Sequence, residues 1–194
     1  MLLNSWDFSQ ALDKYIYHKK KAADKRSCDH LISIFEKSDY TYNERNYYSI
    51  NPRLTDIPFN FLKPILITSL EEYGKKHPYL GRRANAWMIN TGFNMQKYLP
   101  GECYDQAYDP NYWLGHCEHG YEEYDCRRIL AWMFYLNDIK KDGGTCFPQQ
   151  NFTTRPRAGD LYIWPAGWDY SHYGVVAPKE VKYILTGWCS WLIR

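Results

Sequence analysis

No apolar run in this 194-residue chain approaches the roughly eighteen residues that a membrane-spanning helix requires. The opening MLLNSWDFSQALDK meets Ser5 and Asp7 too early for a secretory hydrophobic segment, and it lacks a small-residue cleavage site. Six cysteines (Cys28, Cys103, Cys117, Cys126, Cys146, Cys189) form no C-x-x-C pair. With no export signal, they are expected to be reduced thiols in a cytoplasm rather than a disulfide framework. Cys117 and Cys126 fit no structural zinc spacing. Neither sign of charge dominates: 24 Lys+Arg face 22 Asp+Glu, a net of +2, so no global field draws the chain to nucleic acid or a membrane. No repeat and no linker interrupts it, so residues 1–194 are expected to form a single domain.

What the chain does have is aromatic surface, 18% of residues with 19 Tyr and 8 Trp. Amphipathic rings in that number suit β-rich layers and a lined pocket. The first 87 residues read as helical support and a lid. Phe8, Leu12 and Ile16 recur at helical spacing, and the basic run HKKKAADKR (18 to 26) reads as a solvated helix end, because no aromatic interleaves it. A second helix is predicted from an N-cap at Asp29, with Leu31, Ile32 and Phe35 on one face. Residues 38 to 58, rich in Tyr, Asn and Pro, read as a long loop. A third helix carries Leu62, Ile65, Leu66, Leu70 and Tyr73 and is predicted to stop at Gly74 and His77-Pro78.

From residue 88 to 194 the texture changes to short strands divided by polar turns: FNMQKYL, ILAWMFYLN, DLYIWP, YSHYGVV and VKYILTGWCSWL. That pattern predicts a sandwich or barrel with the helices on one face. Gly143-Gly144 reads as a tight turn.

The chemistry collects around NYWLGHCEHG. On a strand, residues two apart share a face, so His116 and Glu118 can aim together while Cys117 points away. His119, one residue off, should face elsewhere. His172 in SHYGVV follows 56 residues later. Two imidazoles and one carboxylate make the facial set that holds non-haem Fe(II) and leaves positions free for substrate and oxygen. Lys182 begins the last strand, where Lys182, Ile184, Thr186 and Trp188 share one face. A cation inside a barrel needs a partner charge, since an unpaired buried ammonium is costly.

From Tyr98 to Trp188 the chain resembles the Fe(II)/2-oxoglutarate-dependent dioxygenases, most closely their prolyl 4-hydroxylase-like branch. The segments that carry the resemblance are YLPG (98 to 101), H-x-E (116 to 118), FYLND (134 to 138), GGTCF (143 to 147), RPRAGDLYIWP (155 to 165), the His172 segment and KYILTGW (182 to 188). Each is weak alone; their order and spacing are specific. The resemblance implies an α+β fold with a double-stranded β-helix core (jelly-roll, cupin-like) of about eight strands, buttressed by N-terminal helices. It implies His116, Glu118 and His172 as iron ligands. Lys182, Tyr98, Tyr135, Thr186 and Trp188 would serve 2-oxoglutarate, with Lys182 on its far carboxylate. O2 is the co-reactant and ascorbate the reductant. The implied activity is hydroxylation of peptidyl proline; another protein residue or a small molecule is the alternative substrate, and a non-catalytic metal- or ligand-binding barrel is the alternative class. Lys182 argues against the last, since a bare barrel needs no buried partner for a dicarboxylate.

Two departures stand out. The family usually has H-x-D where this chain has Glu118, one methylene longer. Its first ligand histidine usually lies a few residues after the second Tyr of Y-x-P-G-x-x-Y, whereas Tyr104 and His116 are twelve apart. This insertion (105 to 115) and residues 38 to 58 share a makeup of Tyr, Asn, Asp and Pro that suits gripping an extended peptide and equally suits plain polar surface loops.

Overall fold

The computed structural model describes residues 15–43, 46–103, 116–118 and 125–192. Two helices are set by local chemistry. Helix α1 (Lys25–Lys37) is capped by Asp24, whose carboxylate accepts the Ser27 amide at 2.7 Å, and it buries Cys28, Leu31 and Phe35 at helical spacing. The cap is therefore Asp24, not Asp29, which instead pairs with Lys25 one turn earlier. Helix α2 (Leu62–Lys76) buries Leu62, Leu66, Leu70 and Tyr73. Gly74 lies inside it rather than ending it: a Cβ there would sit 3.2 Å from the Gly81 Cα, in the short helix α3 (Pro78–Gly81). The glycine permits a close approach of two backbones, and the stop falls at His77, ahead of Pro78.

Ten strands form two sheets. They are β1 (Tyr17–Lys19), β2 (Thr41–Asn43), β3 (Tyr47–Ile50), β4 (Trp87–Tyr98), β5 (Arg128–Tyr135), β6 (Thr145–Phe147), β7 (Phe152–Thr153), β8 (Leu161–Pro165), β9 (Tyr173–Gly174) and β10 (Lys182–Trp191). The large sheet runs β1-β8-β5-β10-β4-β3-β2 and the small one β7-β6-β9, with antiparallel pairing throughout. Strands β4 to β10 make the double-stranded β-helix, and a reciprocal backbone bridge between His116 and His172 supplies its remaining pairing.

Strands β1 to β3 correct two expectations. The basic run does not continue a helix: Tyr17–Lys19 pairs with β8, and the helix starts only at Lys25. The phenol of Tyr17 donates to Glu72 of α2, which also receives the Lys19 ammonium at 2.8 Å. Residues 38 to 58 are not a structureless loop. They hold the hairpin β2–β3, which extends the sheet beyond β4 through Tyr48, Ser49 and Ile50. In both places tertiary pairing overrides a local pattern. The predicted Phe8–Leu12 helix turn and the insertion 105 to 115 lie outside the described residues, as does His119.

Strand β5 shows how one sequence feeds two cores. Leu130, Trp132 and Phe134 face the helices, where they meet Leu31, Phe35, Leu62, Leu66 and Leu185. Ala131, Met133 and Tyr135 face the interior with Tyr98, Phe147, Tyr162 and Trp164. The near-continuous apolar run thus reflects burial on both sides, at about 1.5–3 kcal/mol per large side chain. Gly187 on β10 admits this packing, since a Cβ there would lie 2.3 Å from the Trp132 ring. Among the described residues no helix is long and apolar enough to cross a membrane, and none of the six cysteines is in a disulfide.

Candidate metal and cosubstrate site

Between the two sheets lies a cavity of about 290 Å³. The small-sheet side contributes His116, Glu118 and His172. The bridge that joins them runs through both backbones, His116 N–H to His172 O and His172 N–H to His116 O, each 2.9 Å. A pairing across 56 residues of sequence therefore sets the separation of the two imidazoles, whose ring centroids are 4.5 Å apart. Within the H-x-E segment His116 forms the bridge while Glu118 follows in a bend rather than on a strand, yet both side chains line the same cavity.

The donor atoms of the three residues all lie within 4.8 Å of one another. Glu118 Oε1 sits 3.3 Å from His172 Nε2 and 3.8 Å from His116 Nε2. His172 Nδ1 is 2.9 Å from the Tyr170 carbonyl. A carbonyl only accepts, so Nδ1 carries a proton, and Nε2 is the ring nitrogen turned toward Glu118. The other carboxylate oxygen, Oε2, accepts the Trp188 indole N–H at 2.7 Å. Arg128 stacks on that indole at 3.9 Å and donates to the Glu118 carbonyl at 3.2 Å. One oxygen of Glu118 is thus held by the protein and one is left for a ligand.

Electrostatics favour the ionised form. Burial raises the Glu118 pKa, but the hydrogen bond from His172, the charges of His116 and His172 and the Trp188 indole outweigh it and hold the carboxyl at about 2. Two imidazole nitrogens and one carboxylate oxygen, converging and oriented by outer partners, fit a divalent first-row metal with open positions.

The large sheet supplies the other wall. Lys182, Ile184, Thr186 and Trp188 line the cavity from β10, while Tyr183, Leu185 and Cys189 turn to the helices, as the strand alternation requires. Lys182 is 3% exposed. Among the described residues its ammonium has no carboxylate partner; it lies over the Tyr98 ring at 4.6 Å and beside Gly174 and Cys103. Burial pushes its pKa down to about 8, against a small lift from Cys103. An ammonium buried in this way is costly unless an anion joins it.

Tyr98 and Tyr135 also line the cavity, but their hydroxyls are engaged within the protein. Tyr98 donates to Gln96 Oε1 at 2.8 Å. Tyr135 shares hydrogen bonds with Thr145 at 3.1 Å and Thr154 at 2.6 Å. Burial raises both phenols well above their usual pKa, so they remain neutral. Sequence reasoning missed Asn94, Gln96, Arg128, Thr145 and Trp164 on the cavity wall. The first two were within reach, since Asn94, Gln96 and Tyr98 alternate on β4. A larger apolar groove between α2 and the start of β4, about 560 Å³, shares no residue with this cavity.

The model for the 2OG-Fe(II) oxygenase superfamily matches residues 93–190, just over half of the chain. The chain belongs to this superfamily. Its Fe(II), 2-oxoglutarate and O2 requirement follows from that membership, and the oxygenase carries its cavity wholly inside the matched region apart from Tyr47. No curated protein matches the chain in sequence. Among solved structures, a viral collagen prolyl hydroxylase from Paramecium Bursaria Chlorella virus-1, in its 2OG complex, aligns with a TM-score of 0.63 at 18% identity over 92% of this chain and 97% of its own. A Pseudomonas putida prolyl-4-hydroxylase aligns at 0.67 and 13% over 95% and 99%. A Trichoplax adhaerens prolyl hydroxylase, bound to a hypoxia inducible factor peptide fragment, aligns at 0.66 and 14% over 94% and 86%. These likenesses establish the double-stranded β-helix fold.

Proposed function

We propose that this oxygenase hydroxylates the 4-carbon of proline in a peptide, with His116, Glu118 and His172 holding Fe(II) and Lys182 holding the far carboxylate of 2-oxoglutarate. The observation that carries the cosubstrate assignment is the buried ammonium of Lys182, which a dicarboxylate neutralises. When bound, the iron and cosubstrate together supply the oxidant that converts a C–H bond to C–OH while 2-oxoglutarate and O2 yield succinate and CO2. The chain's own work is positional. Lys182 anchors one end of the cosubstrate, Thr186 stands four residues along on the same face for a second polar contact, and Trp164 with Phe147 walls His172 from water. Ascorbate is the proposed reductant.

The peptide assignment draws on the fold likeness to prolyl hydroxylases, one of them holding a peptide fragment. It also draws on a second groove beside the cavity, lined by Asn51, Arg53, Asn90 and Arg127, which shares Asn94, Arg128 and Trp188 with it. A continuous path of this kind suits an extended chain. Incubation with Fe(II), 2-oxoglutarate, ascorbate and a proline-rich peptide library is expected to give one added oxygen per modified peptide, located on proline by mass spectrometry. Addition to another residue, or turnover of free metabolites alone, replaces the prolyl reading with its alternatives. Absence of any succinate favours a non-catalytic barrel.

The role of Trp188 is separately testable. In the proposed site it acts through Glu118 rather than on the cosubstrate. Trp188→Phe keeps an aromatic face for Arg128 but removes a hydrogen bond to a charged acceptor, about 1.5–3 kcal/mol. Mn(II) affinity is expected to fall about 10–100-fold, read by titration of the free-ion magnetic resonance signal. Unchanged affinity would return Trp188 to a packing role.

A further inference from the structure

A third groove, of about 830 Å³, lies outside the catalytic cavity and shares no residue with it. Its walls come from β1 with its turn into α1 (His18, Lys20, Lys21, Lys25) and from β7 with the segment leading to β8 (Arg155, Arg157). Two acids line it, and both are occupied. Asp160 is buried and accepts from His18 Nε2 at 2.7 Å and the Lys21 amide at 2.9 Å. Asp138 accepts the Ala158 amide at 2.9 Å. Lys25 is paired with Asp29. Among the described residues, the side chains of Lys20, Lys21, Arg155 and Arg157 have no acidic partner, and all four are exposed. Counting Lys25, five cations and two acids line the groove, a local excess of three positive charges against a net +2 for the whole chain.

Arg155 and Arg157 flank the buried Pro156, and both line the groove. The two lysines face them from the turn after β1. Among the described residues both flanking strands are sheet ends: β1 closes the large sheet and β7 the small one. An end strand offers backbone groups to an added extended chain. The aromatic faces, by contrast, are already taken. The Tyr162 ring is 2% exposed beneath His18, stacked at 4.2 Å, and Phe152 packs against Phe147. A single-stranded nucleic acid needs free stacking platforms, which this groove lacks; an acidic polypeptide needs only cations and strand edges.

We infer that this groove is a docking site for an extended acidic segment of a partner polypeptide. The site is independent of turnover, so its test needs neither iron nor cosubstrate. Anisotropy of a fluorescein-labelled oligoglutamate, titrated with the full chain, is expected to show saturable binding. The binding should weaken as salt rises from about 0.01 to about 0.15 M, where the screening length shrinks from about 30 to about 8 Å. Arg155→Glu/Arg157→Glu and Lys20→Glu/Lys21→Glu are each expected to weaken it at least about tenfold, two contacts of an exposed kind being removed and reversed. Lys37→Glu/Lys75→Glu makes the same change in net charge elsewhere and should leave binding intact. The Lys20, Lys21, Arg155 and Arg157 side chains hold no acidic partner among the described residues, so the melting temperature of those variants should stay constant and serve as the folding control. Equal loss in the Lys37/Lys75 variant would reduce the effect to net charge and overturn the inference. So would the absence of saturable binding, or tighter binding of a single-stranded oligonucleotide that the same variants abolish.

Discussion

His116→Ala and His172→Ala are each expected to abolish binding of Fe(II), and of Mn(II) as its redox-inert substitute. In the proposed centre each removes one of three protein ligands. Loss of an outer partner alone costs about 10–100-fold in affinity, so loss of a ligand should exceed that range. Calorimetric titration of the metal-free protein measures it without reference to activity. The two variants differ in their side effects. His116 is partly exposed, and its backbone bridge survives truncation. His172 is buried against Phe147 and Trp164, with centroids 5.2 and 5.1 Å away, so His172→Ala also leaves a cavity and lowers stability by about 2 kcal/mol or more. His172→Gln fills that space and isolates the loss of the ligand. Wild-type affinity in both His116→Ala and His172→Gln would overturn the centre.

Lys182→Met is expected to stabilise the protein without cosubstrate and to cripple 2-oxoglutarate binding. The lysine titrates near 10.5 when unfolded and at about 8 when folded. Below pH 8 both states are charged and the folded state bears the whole cost of burying the ammonium, about 3 kcal/mol. The Tyr98 ring contact returns about 1 kcal/mol of this. Methionine removes the cost and the contact together, a net gain of about 2 kcal/mol and a melting temperature roughly 4–8 °C higher. Between pH 8 and 10.5 the folded wild type sheds its proton while the unfolded chain retains it, so wild-type stability catches up and the gap closes. Comparing the two proteins isolates this group from buried phenols and thiols, whose titration lowers stability of both at high pH. Cosubstrate affinity should fall about 10–100-fold in the variant, the worth of a charge-assisted hydrogen bond. In the wild type it should also decline above about pH 8, as the ammonium deprotonates. A variant that melts lower and binds 2-oxoglutarate normally would make Lys182 a structural residue.

The site was more legible in the sequence than the fold around it. His116, Glu118, His172, Lys182, Thr186 and Trp188 were all named from spacing, strand alternation and resemblance, and all line one cavity. Strand alternation is a property of the covalent chain: once Lys182 to Trp188 are extended, Lys182, Ile184, Thr186 and Trp188 must share a face. The amphipathic helices α1 and α2 were legible for the same reason, and so was the stop of α2 at His77-Pro78, although the cap of α1 was misplaced and Gly74 lies inside α2.

Pairing between distant segments was not legible. Tyr17–Lys19 and the hairpin Thr41–Asn43/Tyr47–Ile50 carry no strong period of their own and become strands because open edges of β8 and β4 receive them. The sequence alone determined which side chains each strand presents and which residue types would converge. Only the tertiary structure decided that His172 meets His116 through a reciprocal backbone bridge and that Trp188 holds one oxygen of the longer Glu118. It likewise decided that Arg155 and Arg157 share a groove with Lys20 and Lys21. Facing within a strand follows from local geometry, whereas these meetings depend on contacts between segments far apart in sequence, whose closure entropy is offset only by the packing of the complete fold.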